Sequence, residues 1–194
     1  MDFLTDNTTT ASVIAVLVSF VGLAFAWNQR TWVLSQEEGT DEMKRIAGAV
    51  QRGAAAFLQR EYRAVAILVV IVTVILIILS QIEDTGMSIW TAVAFVSGAI
   101  ASGVTGYAGM YIAVRSNVRT AHAASKSLNQ GLRVAFASGT VMSMMVVSLA
   151  LIGVSVLFVI FTEQIDDPQT VASALAGFGF GGTSIAIFAR VGGG

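Results

Sequence analysis

The sequence predicts an all-α, polytopic transmembrane helix bundle with five spans, and three observations carry that reading. Of 194 residues, 55% are hydrophobic and only 12% charged, a balance that belongs to membrane chains. Five apolar segments, residues 11–27, 64–79, 89–114, 134–161 and 171–189, are each near or above the length of about 20 residues that a bilayer core of about 30 Å requires. The connections between them alternate in charge. All 11 basic residues, Arg30, Lys44, Arg45, Arg52, Arg60, Arg63, Arg115, Arg119, Lys126, Arg133 and Arg190, fall in the second, fourth or final polar segment. The N-terminus and segments 81–87 and 162–169 carry only acids, such as Glu83, Asp84, Glu163, Asp166 and Asp167. The positive-inside rule therefore predicts an outer N-terminus and a cytoplasmic Gly194.

The first ten residues, MDFLTDNTTT, are acidic and polar with no basic region, so the first apolar segment is expected to be a retained span, not a signal peptide. It ends at an aromatic and basic boundary of Trp27, Arg30 and Trp32. Thr40 then has the chemistry of a helix N-cap, with Asp41 and Glu42 in the first turn where the helix dipole favours acids. Nothing breaks the run from there to Ser80, which predicts a helix of about 60 Å, twice the membrane core. Ile46, Val50, Phe57 and Leu58 recur at helical spacing in its first half, and its second half is apolar all round. Glu61, flanked by Arg60 and Arg63, is expected to be a locally paired helix residue.

The third span continues past Val114 without a breaker, and a turn is expected at Asn129, Gln130 and Gly131. Ser97, Ala101, Thr105 and Ala108, with Gly98, Ser102, Gly106 and Gly109 beside them, form a small-residue face suited to tight helix packing. Arg115, Arg119, His122 and Lys126 share one side of its cytoplasmic extension, a stripe that meets either headgroups and water or an anionic substrate. No carboxylate or second His stands near His122 at ligand spacing, so no metal role is expected for it. Met142, Met144 and Met145 act as adaptable filler in the fourth span, and Pro168 is placed in the loop before the fifth.

The fifth span is the least oily. Gly177, Gly179, Gly181 and Gly182 occupy its middle, Thr183 and Ser184 follow, and Arg190 ends it. Lipid offers nothing to such a helix, whereas neighbouring helices pack closely on small residues. It is therefore expected to be enclosed by protein, with the other helices around it. The spacing Gly177-x-Gly179-x-x-Gly182 matches a dinucleotide fingerprint only formally, because that motif needs a strand before it and a βαβ unit around it. Arg190 has two readings. It snorkels at the cytoplasmic helix end, with Gly192 to Gly194 as the cap, or it lines an ion pathway, with Thr183 two turns earlier on the same face and Ser184 on another. No catalytic constellation is present in the chain, and nothing points to nucleic acid.

Several stretches resemble the membrane-integral ion-pumping inorganic pyrophosphatases: GAAAFLQREYRA (residues 53–64), GYAGMYIAVRSNVRTAHAA (106–124) with GLRVAFASGTVMSM (131–144), and GFGFGGTSIAIFARVGGG (177–194). His122 departs from the family pattern, where an acid is usual, and takes no role. The resemblance implies a pump that hydrolyses pyrophosphate at a magnesium-filled cytoplasmic site, in some cases with potassium, and drives protons or sodium outward. It implies a homodimer in a bacterial inner membrane or an equivalent energy-transducing membrane, each subunit having about sixteen helices in two rings. Residues 1–170 would supply outer-ring helices and 171–194 the inner-ring fifth helix, with Arg190 at the ion gate and Thr183 and Ser184 as possible lining. The family's Lys- and Asp-rich magnesium segment follows the triple glycine, so the chain is expected to be an N-terminal portion that cannot hydrolyse pyrophosphate alone. The competing reading is a complete five-span, non-enzymatic channel or scaffold that forms homo-oligomers.

Overall fold

The computed structural model describes residues 2–82 and 87–193, which form five helices: α1 (Asp2–Leu34), α2 (Asp41–Leu79), α3 (Ile89–Lys126), α4 (Leu128–Gln164) and α5 (Pro168–Gly193). All five are long and apolar enough to cross a membrane, and the described residues contain no strand. Glu83, Asp84 and Gly194, used above for topology and for the glycine cap, lie outside the described residues.

Local chemistry sets the boundaries. α1 closes at Leu34, and the chain reverses through Gly39, whose φ of 82° is open to glycine at little cost. Thr40 caps α2 as expected, its hydroxyl accepting the Met43 N–H at 3.3 Å. In the first turn Asp41 pairs with Lys44 and Glu42 with Arg45, at 3.3 and 2.6 Å. α2 then runs unbroken to Leu79, a helix of 39 residues as long as the sequence predicted.

The α3–α4 turn lies elsewhere than expected. Ser127 is at once the C-cap of α3 and the N-cap of α4, its hydroxyl accepting the Gln130 N–H, and residues 129–131 are already helical. Gly131 serves packing: a Cβ there would lie 2.9 Å from the Ala124 Cα across the hairpin. Pro168 is likewise the first residue of α5 and not part of a loop. Asp167 accepts the Gln169 and Thr170 N–H groups, and proline at the first helical position has no bond to lose.

Within this chain the element that touches every other helix is α3, not α5. Three apolar clusters hold it. Leu157 and Phe161 of α4 meet Val171, Ala174 and Phe178 of α5 around Ala94, and Trp90 tilts against Phe161 at 5.5 Å. Val33, Ile112, Val134 and Val141 join α1, α3 and α4 toward the basic end. Leu76 seats α2 on Ala92 and Phe95.

Since lipid is as apolar as leucine, close packing and not water exclusion must hold such helices together. The α3–α5 seam shows how. The two helices run in the same direction with their backbones in contact at Gly98, Gly177 and Gly181. A Cβ on Gly177 would lie 2.5 Å from the Thr91 carbonyl oxygen, and one on Gly181 would lie 2.8 Å from the Phe95 carbonyl carbon. Gly177 and Gly181 thus form a small-xxx-small face, and only glycine admits that approach.

Candidate functional site

With one face of α5 against α3 and α4, the opposite face is defined by geometry. Val171, Ala174, Gly177, Phe178, Gly181 and Ile185 are buried, whereas Ala176, Gly179, Thr183, Ala186 and Arg190 form an open strip. A Cβ on Gly179 would meet nothing within 4 Å. Thr183 and Arg190 share this strip as the sequence placed them. Ser184 lies off it, half-buried, and its hydroxyl donates to the Phe180 carbonyl at 2.8 Å. The bulkier Phe180, Ile187 and Phe188 flank the strip, and Phe180 leans on Phe95 at 5.4 Å. Among the described residues no carboxylate lies within ion-pair distance of the exposed Arg190.

The basic stripe of α3 does not stand free. The α1–α2 loop folds over it and brings Glu37 and Glu38 to Arg119, His122 and Lys126. Arg119, its side chain 10% exposed, pairs with Glu38 at 2.8 Å and donates to the Gln36 and Arg115 carbonyls. Glu37 binds Lys126 at 2.6 Å and His122 at 3.1 Å. His122 therefore has a carboxylate partner, which spacing could not reveal because Glu37 is 85 residues away. Arg115 instead stacks on Tyr111, 3.5 Å from the ring centroid.

This clamp makes the loop sensitive to pH. Lys126, and then His122, hold the Glu37 carboxyl below its ordinary value of 4.5. A carboxyl with a lowered folded value contributes its bonds above the unfolded value and loses them as pH falls through the folded one. Amide hydrogen exchange in residues 35–40, corrected for its intrinsic pH dependence, is expected to be slower in wild type than in Glu37→Gln at pH 7. That difference should shrink only at a pH below the ordinary value of 4.5 and vanish once Glu37 is protonated in the folded protein. Equal exchange at pH 7 would show that the clamp does not restrain the loop.

Glu61 corrects the sequence reading. It makes no ion pair with Arg60 or Arg63, both exposed; its Oε1 is buried without a partner among the described residues. Residues one and two apart on a helix point in different directions, so local pairing was geometrically excluded. Beside it, Tyr62 donates to the Gly103 carbonyl at 2.5 Å, and so fixes α2 to α3. Sequence reasoning also passed over the stacking of arginine on aromatic rings, although Trp27 with Arg30 and Tyr111 with Arg115 stand at i, i+3 and i, i+4.

The residues present do not fit a magnesium site. Among the described residues no three His, Asp or Glu side chains converge, and Glu37, Glu38, Asp41 and Glu42 are each engaged by a cation.

Comparison with known proteins agrees with the motif blocks. The family model described as inorganic H+ pyrophosphatase matches residues 20–194. A K(+)-insensitive pyrophosphate-energized proton pump of Chloroflexus aurantiacus is 40% identical over 200 aligned residues, which cover 94% of this chain and 25% of that protein. Proton pump 2 of Moorella thermoacetica, also called K(+)-insensitive and pyrophosphate-energized, is 44% identical over 84% of this chain and 23% of its own length. A protein of Bacteroides thetaiotaomicron named a putative K(+)-stimulated pyrophosphate-energized sodium pump is 36% identical over 92% of this chain and 25% of that protein. The chain thus spans about a quarter of the length of the relatives it matches. With the match running from the middle of α1 to the end of α5, the chain belongs to the inorganic H+ pyrophosphatase family.

Proposed function

We propose that the chain is the N-terminal part of a primary ion pump that couples cytoplasmic pyrophosphate hydrolysis to outward movement of protons or sodium. The observation that carries this reading is the contrast between open faces. α1 and α2 turn Leu17, Phe20, Val21, Ile67, Val70 and Ile71 outward, as acyl chains require, whereas the open face of α5 has, beside the bulkier Phe180, Ile187 and Phe188, a continuous strip of Ala176, Gly179, Thr183, Ala186 and Arg190. Small and polar residues favour contact with further helices over lipid. The segment 171–194, which contains most of α5, accordingly belongs to the inner ring and 1–170 to the outer ring, in a homodimer of subunits with about sixteen helices each.

In that setting Arg190 faces the ion path. A guanidinium stays protonated at any physiological pH, so it repels a cation in transit and closes the path when it pairs with a carboxylate. Thr183, two turns away on the same strip, offers a hydroxyl to the path, and Ser184 lies at its edge. Magnesium, and potassium where it is needed, is held by residues other than those described here. The N-terminus is outside, and the basic end with its clamp faces the cytoplasm of a bacterial or similar energy-transducing membrane.

The experiment is transport by the full-length protein in vesicles. Magnesium pyrophosphate added to the side of the basic end should acidify the lumen or load it with sodium, and the presence or absence of potassium sorts the protein between the two named kinds of relative. Hydrolysis with no ion movement would remove the pump, and no hydrolysis at all would favour a five-span channel or scaffold.

A further inference from the structure

Arg133, at the basic end of α4, escapes the clamp. It reaches across to α1 and lies over the Trp32 ring, 5.0 Å from its centroid. Among the described residues no carboxylate stands within ion-pair distance of it, whereas Arg119 and Lys126 are paired with Glu38 and Glu37. A cation–π contact uses none of the five N–H donors of a guanidinium. With Asn28, Gln29, Trp32, Phe136 and Thr140, Arg133 lines a cleft of about 400 Å³ between α1 and α4. The Asn28 and Gln29 amides add further donors, and no acid is among the lining residues. Neither the amides nor the guanidinium is spent on a hydrogen bond among the described residues.

By helical spacing Asn28, Gln29 and Trp32 share a face of α1 with Leu17, Val21 and Phe25, and those three are exposed. On α4 the face of Arg133 and Thr140 continues into Val147, Leu151 and Val154, also exposed. The cleft is thus the polar end of an open apolar band along both helices. Its depth follows from the helix rise. Asn28 and Trp32 are about 26 and 32 Å along α1 from Ala11, and a bilayer core is about 30 Å thick. The donors therefore stand where the core meets the headgroups, and the band below them lies at acyl-chain depth. A phospholipid offers both parts at that separation, a phosphate for the donors and hydrocarbon for the band. The unpaired guanidinium favours a head of net negative charge over a zwitterionic one, whose ammonium it repels.

We propose that the Asn28–Gln29–Arg133 cleft binds an anionic glycerophospholipid of the leaflet at the basic end, its phosphate on the guanidinium and the two amides and one acyl chain along Val21 and Phe25. Binding needs only membrane insertion, so it stands or falls independently of pyrophosphate hydrolysis.

The test is photo-cross-linking of the full-length protein in detergent micelles to a phosphatidylglycerol that carries a diazirine on its glycerol head. Labelled peptides are mapped by mass spectrometry, with unlabelled phosphatidylglycerol or phosphatidylcholine as competitor. Wild type should carry the label within residues 28–32 or 133–140. Phosphatidylglycerol should displace it about 5-fold more effectively than phosphatidylcholine, the factor expected of one surface arginine. Arg133→Gln should bring the two competitors to near parity, and Arg133→Lys should keep part of the difference. Arg63→Gln, at an exposed position on α2, should leave it unchanged. Absence of label from both segments of wild type overturns the proposal and would mean that another part of the protein covers the cleft. Equal displacement by the two lipids in wild type overturns it too, whether or not the variants fold. So does an undiminished difference in a folded Arg133→Gln protein.

Discussion

Gly181→Ala is expected to unseat α5 from α3. The added methyl would overlap the Phe95 carbonyl oxygen and lie 3.0 Å from the Ala99 amide nitrogen, both backbone atoms of a helix that cannot move aside as a side chain can. Overpacking of this kind costs about 3 kcal/mol, a large share of the stability of a helical domain. Gly98→Ala meets the Phe178 backbone from the other side, its Cβ 2.9 Å from the carbonyl carbon, and should act similarly. Gly139→Ala is the control, because it adds the same methyl on α4 at an exposed position where nothing stands within 4 Å. The measurement is the fraction of monodisperse full-length protein left after graded heating in detergent. Gly181→Ala and Gly98→Ala should lose it well below the wild-type temperature while Gly139→Ala follows wild type. Wild-type tolerance of Gly181→Ala would mean that the seam is looser than the structure has it.

The second large effect concerns transport. Arg190→Ala in the full-length protein should abolish pyrophosphate-driven ion accumulation or uncouple it from hydrolysis, because the fixed positive charge on the open strip of α5 would be gone. Arg190→Lys keeps a charge without the planar fork and should retain part of the coupling. A side chain that only snorkels to headgroups at a helix end would be replaced with little consequence. Wild-type accumulation by Arg190→Ala would return the residue to that role.

The sequence showed most of the fold because its strongest signals are local. Apolar length defined five spans, and Thr40 with Asp41 and Glu42 marked the start of α2. What it missed depends on distance in the chain or on direction around a helix. The clamp of Glu37 and Glu38 on α3 joins residues more than 80 apart, so the stripe of Arg119, His122 and Lys126 looked free. The turn was misplaced because Asn129-Gln130-Gly131 has turn chemistry, yet Ser127 caps both helices and Gly131 is used to approach Ala124. Glu61 was paired with neighbours that point away from it. For α5 the small residues announced tight packing, but which glycines face α3 and which stay open, Gly181 against Gly179, follows only from the packed helices.

The central claim is that the open strip of α5 meets protein and not lipid. Spin labels on single cysteines at Thr183 and Ala186 of the full-length protein, on a cysteine-free background in lipid bilayers, report this through collisions with oxygen, which concentrates among acyl chains. A label at Ile71, an outward position on α2 that is 53% exposed, is the lipid-facing reference. Oxygen accessibility at 183 and 186 far below that at 71 is the expected result. Accessibility equal to that at 71 would place the strip against lipid and contradict the inner position of α5.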